Sequence, residues 1–204
     1  MSQIIRYIVN MLPYMLISLP IFIIVRVVIY VLRKDESKQF NLVRECMLMI
    51  FVVYLVGLAS QTIYPKIEFG NDGISIVGAF QHRYNLIPFL VFKETYQAVF
   101  VDHCFSYFII NFLGNIMIFI PIGFFIPLLW HKMRSLGKTV LCGFIISLFI
   151  ELIQFPLYRG TDIDDLWLNT LGVLVGYFVF ILVKKIIPRS LAQPCANLLM
   201  DHSK

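Results

Sequence analysis

The sequence is short of charge. Only 14% of its 204 residues are Asp, Glu, Lys or Arg, against about 25% in an ordinary soluble domain. This excludes a large soluble domain, because no stretch is both long enough and polar enough to form one. Cysteine is also sparse. Cys46, Cys104, Cys142 and Cys195 show no CxxC or metal-ligand spacing, which favours packing roles over a disulfide or a reactive thiol. An HExxH pair, a nucleophile elbow and a phosphate-binding glycine loop are all missing, and with them the common hydrolase and nucleotide signatures. There is no internal repeat and no low-complexity tract. What is present is apolar: 59% hydrophobic residues, 19 of them phenylalanines, and a mean hydropathy of +0.83. That composition belongs to an integral membrane protein. The expected fold is all-α, a polytopic membrane helix bundle, with residues 1–204 forming a single integral membrane domain.

A membrane-spanning helix needs about 20 mainly apolar residues. Five segments qualify, at roughly 8–32, 45–64, 108–130, 138–158 and 166–187. The first run carries Arg6 ahead of it and no small-x-small cleavage site after it, so it reads as a retained span. Prolines 13, 20, 121 and 127 fall inside spans, where proline is tolerated as a kink if neighbours satisfy the freed backbone. The net charge of +5 does not call for nucleic acid, because the basic residues flank apolar segments. Arg33, Lys34, Lys38 and Arg44 lie in the first loop, Lys132, Arg134 and Lys138 in the third, and Lys184, Lys185 and Arg189 after the last span. The positive-inside rule then puts these on the cytoplasmic side, with the N-terminus and the second and fourth loops outside.

The long second loop, about residues 65–107, begins with Lys66 to Gly78. Asn71-Asp72-Gly73 there is a turn signal between β-prone pieces, consistent with a small hairpin. Residues 91–112 read as helix, with Val91, Phe92, Val99, Phe100 and Phe105 among polar positions. Such a piece can lie along the membrane surface.

Polar residues are distributed unevenly. Glu151 lies about seven residues, some 10 Å, inside the outer end of the fourth predicted span. An ionisable group at that depth tends to face a cavity or a partner. Gln154 shares its face, and Tyr158 continues it. The stretch from Arg159 to Gly172 holds Asp162, Asp164 and Asp165. Thr161 or Asp162 can cap the last helix, and acids in its first turn complement the helix dipole. Capping does not account for Asn169, four residues after Asp165, nor for Gly172 and Gly176, which continue the stripe and would let another helix approach closely. Asn111 and Asn115 lie in the outer half of the third span, and Arg83, Asn85 and Pro88 precede it. Each of these has an ordinary explanation in helix–helix hydrogen bonding or loop geometry. Together they fall on the outer side, whereas the inner side has only Arg26, which can snorkel to the cytoplasmic surface.

The order of these pieces, RYNLIPF, NFLGNIMIFIPIGFFIPLL, ELIQ and RGTDIDDLWLNTLGVLVGY, resembles the VanZ-like family over about residues 80–183. The first two spans match it only in character. The resemblance rests on Asn85, Pro88, Asn115, Pro121, Gly123, Glu151, Gln154, Arg159, Asp162, Asp165, Asn169 and Gly172. It implies a bacterial multi-pass membrane protein. The founding member lies in a glycopeptide resistance cluster and is associated with reduced susceptibility to teicoplanin, a lipid-tailed glycopeptide. No cofactor follows from it. Three functions are compatible with these residues. In the first, an outward pocket of Asn85, Asn111, Asn115, Gln154, Arg159 and Asn169 binds or masks an envelope amphiphile: a lipid head group, a cell-wall precursor or the lipoglycopeptide itself. In the second, an intramembrane enzyme acts on an envelope lipid or lipid-linked sugar. Glu151 would then be general base, and Asp162 and Asp165 would assist or hold a divalent cation. The third, a transporter, is disfavoured by the lack of internal symmetry and of paired broken helices.

Overall fold

A computed structural model describes residues 3–32, 41–62, 66–70, 73–77, 84–155 and 161–186. The fold is helical, with two short strand pairings. Five helices are long and apolar enough to cross a membrane: Val9–Leu32, Leu42–Thr62, Phe105–Leu129, Leu136–Gln154 and Ile163–Ile186. Their exposed surfaces bear Leu16, Ile17, Ile24 and Val31 on the first helix and Leu141, Phe149 and Leu152 on the fourth. Such side chains are stable at a surface only where the solvent is itself apolar.

The chain divides into two compact units, Met1–Thr62 with Val183–Lys204, and Ile63–Leu182. In the first, helix α1 (Gln3–Leu32) and helix α2 (Leu42–Thr62) form a pair. They run antiparallel, because Arg26 meets Glu45 near one end and Gly57 meets Met11 and Met15 near the other. Arg26 does not snorkel alone as expected. Its guanidinium donates from Nε to Glu45 Oε2 at 2.6 Å and also pairs with Glu45 Oε1. Between two apolar helices an acid on the partner helix is a nearer source of compensation than bulk water. Ser60 and Thr62 return their hydroxyls to carbonyls of their own helix, so neither is left unsatisfied in an apolar setting.

The second unit opens with a hairpin, β1 (Lys66–Gly70) against β2 (Gly73–Val77), in antiparallel register from Lys66–Val77 to Gly70–Gly73. The expected turn at Asn71-Asp72 itself lies outside the described residues. Strand β3 (Tyr84–Asn85) follows, then helix α3 (Leu90–Tyr96), which continues as a wider helical stretch over Gln97–Val101. The expected continuous helix over 91–112 is interrupted. Residues 102–104 leave the helix, with His103 at positive φ. A new rod starts with α4 (Phe105–Tyr107), widens over Phe108–Leu113, and runs on as α5 (Gly114–Leu129). Helix α6 (Leu136–Gln154) is capped by Ser135, whose hydroxyl accepts from the Lys138 N–H. Its described part ends at Gln154 with one further turn residue, Phe155. Glu151 is about one turn before the end of that described part; the expected outer end of the span, near residue 158, lies outside the described residues. Strand β4 (Thr161–Asp162) leads into α7 (Ile163–Ile186).

Helices α5, α6 and α7 pack through missing side chains. A Cβ on Gly123 would overlap the Val173 carbonyl, one on Gly172 the Ile116 carbonyl, and one on Gly176 the Ile120 carbonyl. A Cβ on Gly143 would overlap the Val173 side chain. The expected Gly172–Gly176 stripe thus lies against the backbone of α5, with Gly123 answering from the other side. Close approach of this kind replaces the hydrophobic driving force that helices lack when their surroundings are as apolar as they are. Phe119, Ile122, Leu168, Val173 and Phe180 fill the space around these contacts.

Candidate functional site

The polar residues of the second unit collect where α6 ends and α7 begins. The second loop is brought there by a parallel pairing of β3 with β4, Tyr84 beside Thr161 and Asn85 beside Asp162. Asn85 Nδ2 donates to Asp162 Oδ1 at 2.9 Å, and Asn85 Oδ1 accepts from the Ile87 N–H at 2.9 Å. Asp162 Oδ1 also accepts from the Asp164 N–H at 2.9 Å. Asp162 is thus the N-cap of α7, as the residue type and position suggest. Burial raises its pKa above the ordinary aspartate range. The charges of Asp164 and Glu94 add to that, and its hydrogen bonds from the Asp164 N–H and Asn85 act against it.

Asp164 is fully buried. Its carboxylate accepts from the N–H groups of Phe89 at 2.6 Å and Val91 at 2.7 Å, and from the Trp167 indole at 2.8 Å. Helix α3 has no side-chain cap of its own, because its N-cap position is Phe89, at φ 66°. The exposed N–H groups at a helix start need an acceptor and favour a negative charge. Asp164 supplies both from the other end of the unit. Aromatic rings close over the joint. Trp167 lies 5.6 Å from both Phe89 and Phe92, and Phe92 lies 5.7 Å from Phe112. Sequence reasoning treated Asp164 as one more acid in a first turn and overlooked Trp167. The available signal was a helix start after Pro88 with no Ser, Thr, Asp or Asn to cap it.

Glu151 is 7% exposed, and one carboxylate oxygen accepts from the Asp162 N–H at 3.2 Å. Asp165 accepts a hydrogen bond from Asn115 Nδ2 and lies within electrostatic reach of Glu151, Asp162 and Asp164. Tyr107 donates to Glu94 and feels the charges of Asp162 and Asp165. One turn further along, Asn169 is buried and donates from Nδ2 to Ser147 Oγ at 2.9 Å. Its own Oδ1 has no partner.

The structure therefore brings together Asn85, Asn115, Glu151, Asp162 and Asp165. Asn169 lies just beneath them, in the seam between α6 and α7. Gln154 is half-buried at the last turn of α6. Asn111 stands apart: it is exposed, and its amide donates to the Tyr107 carbonyl of its own helix at 3.2 Å. Arg159 and Tyr158 lie outside the described residues. No Lys or Arg among the described residues pairs with the clustered acids. Nor do three or more His, Cys, Asp or Glu among them gather in the manner of a metal centre. The arrangement offers a set of acceptors beside the exposed rings of Phe89, Phe92, Tyr96 and Phe100.

These features define a class: a multi-pass helical membrane protein with an acid-rich polar cluster at one end of a glycine-packed helix trio. The chain belongs to the VanZ/LLP1 family, whose pattern matches residues 51–184. That is a family linked to glycopeptide resistance. Comparison with curated proteins and with solved structures yields no match.

Proposed function

We propose that this protein lowers susceptibility to lipid-tailed glycopeptide antibiotics such as teicoplanin by binding or masking an envelope amphiphile in an outward-facing polar pocket. It would lie in a bacterial cell membrane with its N-terminus outside and its C-terminus cytoplasmic. The observation that supports this most is the convergence of Glu151 and Asp165, from facing helices, with Asn85, Asn115 and Asp162 beside an exposed aromatic strip. An amphiphile needs such a surface: acceptors for hydroxyl or amine groups of its head, and rings for the start of its tail. Arg159, by its place in the sequence, would contribute a positive charge at the rim, suited to a phosphate or carboxylate. Binding here would make either the drug's lipid anchor or its target less accessible.

The test is drug susceptibility of cells expressing variants. Glu151→Ala and Asp165→Ala should each abolish protection against the lipid-tailed drug while membrane insertion stays intact. Variants that insert at normal levels and protect fully would refute the pocket.

A second reading has a specific observation in its favour. Two acids from different helices, one of them buried, share one polar layer, and a general base is commonly built this way. Glu151 would then take a proton from an envelope lipid or lipid-linked sugar, with Asp162 and Asp165 in support. A lipid profile that differs between cells with the wild-type chain and with Glu151→Gln would favour this enzyme over a binding protein.

A further inference from the structure

Between strand β3 and helix α3 the chain passes through Leu86, Ile87, Pro88 and Phe89 without helix or strand. Its amides nonetheless find acceptors inside the protein. The Ile87 N–H donates to Asn85 Oδ1 at 2.9 Å, and the Phe89 and Val91 N–H groups donate to the Asp164 carboxylate at 2.6 and 2.7 Å. Pro88 has no N–H to satisfy, and the Phe92 N–H returns to the Phe89 carbonyl at 3.3 Å. These donors have no need of water. The side chains have no liking for it: Leu86 is 69% exposed, Ile87 64%, Phe89 62% and Phe92 52%. Large apolar groups gathered this way are costly in water and stable in an apolar medium.

Neighbouring rings set the depth of this segment. Phe92 lies 5.6 Å from Trp167 and 5.7 Å from Phe112, and Phe89 lies 5.6 Å from Trp167. Both partners are inside spanning segments, Ile163–Ile186 and Phe105–Leu129. The chain thus descends from β3, which pairs with the residues just ahead of α7, to the level of Trp167, and then turns back along α3. Tyr96 and Phe100 continue the apolar strip, now flanked by exposed Lys93, Glu94 and Gln97, toward the turn at Asp102 and His103. On α7 the exposed stripe Leu171, Val175, Phe178 and Leu182 runs on from Trp167 at helical spacing. The strip is therefore continuous with a face that a spanning helix turns to lipid. Irregular backbone is tolerated at membrane depth where protein groups satisfy it, and Asn85 and Asp164 do so here.

We propose that residues 86–92 form a re-entrant wedge, with Leu86, Ile87, Phe89 and Phe92 in contact with the acyl chains of the leaflet in which α7 begins. The wedge goes beyond the polar pocket and stands or falls without it, because its partner is the bilayer itself.

The experiment uses the full chain in nanodiscs of phosphatidylcholine and phosphatidylglycerol. A nitroxide is attached at a single cysteine, Leu86→Cys or Ile87→Cys, in a chain whose native cysteines are alanine. Its collisions with dissolved oxygen, which favours the acyl region, are compared with those of a water-soluble nickel chelate. Leu141→Cys and Phe149→Cys on α6 give the lipid reference, and Asp102→Cys gives the water reference. The oxygen-to-nickel ratio at 86 and 87 should match the α6 sites and exceed that at 102 severalfold. A ratio equal to that at 102 overturns the proposal. So does slow collision with both reagents, which would assign the strip to a protein partner such as a second copy. Should the alanine background fail to fold, benzoylphenylalanine in place of Ile87 in the native-cysteine chain decides the matter. A phospholipid adduct on irradiation, read by mass spectrometry, supports the wedge, and labelling of no phospholipid overturns it.

Discussion

Helices α1 and α2 and helices α5 to α7 solve the same problem, holding apolar rods together, in different ways. The first pair meets through adaptable side chains: Met11 and Met15 pack over Gly57, at 2.9 and 3.2 Å from where a Cβ would sit, with one ion pair toward the other end. The trio meets backbone to backbone at Gly123, Gly172 and Gly176 and carries the clustered acids Glu151, Asp164 and Asp165. Helix α1 also lies wholly outside the residues that match the family, 51–184. A joint made of methionines tolerates change, because the thioether chain has several rotamers. A joint made of glycines tolerates none, and it also fixes the spacing of the polar groups one turn above it. The trio is thus built to hold a geometry, and the pair is built to adhere.

The largest expected effect comes from filling the glycine joint. Gly176→Leu should cost about 3 kcal/mol or more, since a bulky group must push apart two close-packed backbones. Gly57→Ala should cost under about 1 kcal/mol, since only a methionine tip must move. Thermal unfolding of both variants in detergent breaks the comparison if they prove equal.

Next is Asp164→Ala, which strands two backbone donors and an indole N–H. A loss of about 3 kcal/mol is expected. The Trp167 emission should shift as α3 comes away from α7, and unchanged emission would show that the rings alone hold the joint.

Smaller still is Arg26→Ala. It leaves Glu45 facing apolar neighbours, but the pair is partly exposed, with side chains at 22% and 18%. A loss of about 1 kcal/mol is expected, with no change in drug protection. Replacing both partners with leucine should recover most of it.

The smallest effect is a pH dependence. Asp162 has a folded pKa raised above its ordinary 3.8 by burial. The folded chain therefore holds that proton more tightly than the unfolded one. Its contribution to stability is fully present below the ordinary value and is lost as pH rises through the folded value. Unfolding midpoints should fall modestly over that window in the wild type and less in Asp162→Asn.

Much of this was legible beforehand. Five apolar helices long enough to span were expected and are present among the described residues, the Asp162 cap was among the two candidates, and Gly172 and Gly176 were expected to meet a helix. Less legible was which acid does what. Asp165 was set apart by its four-residue spacing from Asn169, and it faces Asn115; nothing in the letters marked Asp164 as the acid that holds a distant helix. Equally hidden in the letters was that Glu151 accepts from the Asp162 N–H across the joint. Asn111 and Asn115 look equivalent at four-residue spacing. Only the second reaches α7, where it donates to Asp165; Asn111 is exposed and bonds within its own helix.

Sequence by itself determined that this chain is a bundle of apolar helices, how many there are, and that its polar residues crowd near the start of the last one. Those properties follow from the preference of each side chain for an apolar or aqueous medium, which is local and adds up along the chain. Tertiary structure alone decided that Asp164 caps α3, that Arg26 has Glu45 for a partner, and that Asp165 meets Asn115. Each of these joins residues from separate elements, and such pairings exist only once glycine-sized gaps have let the helices close to a set distance.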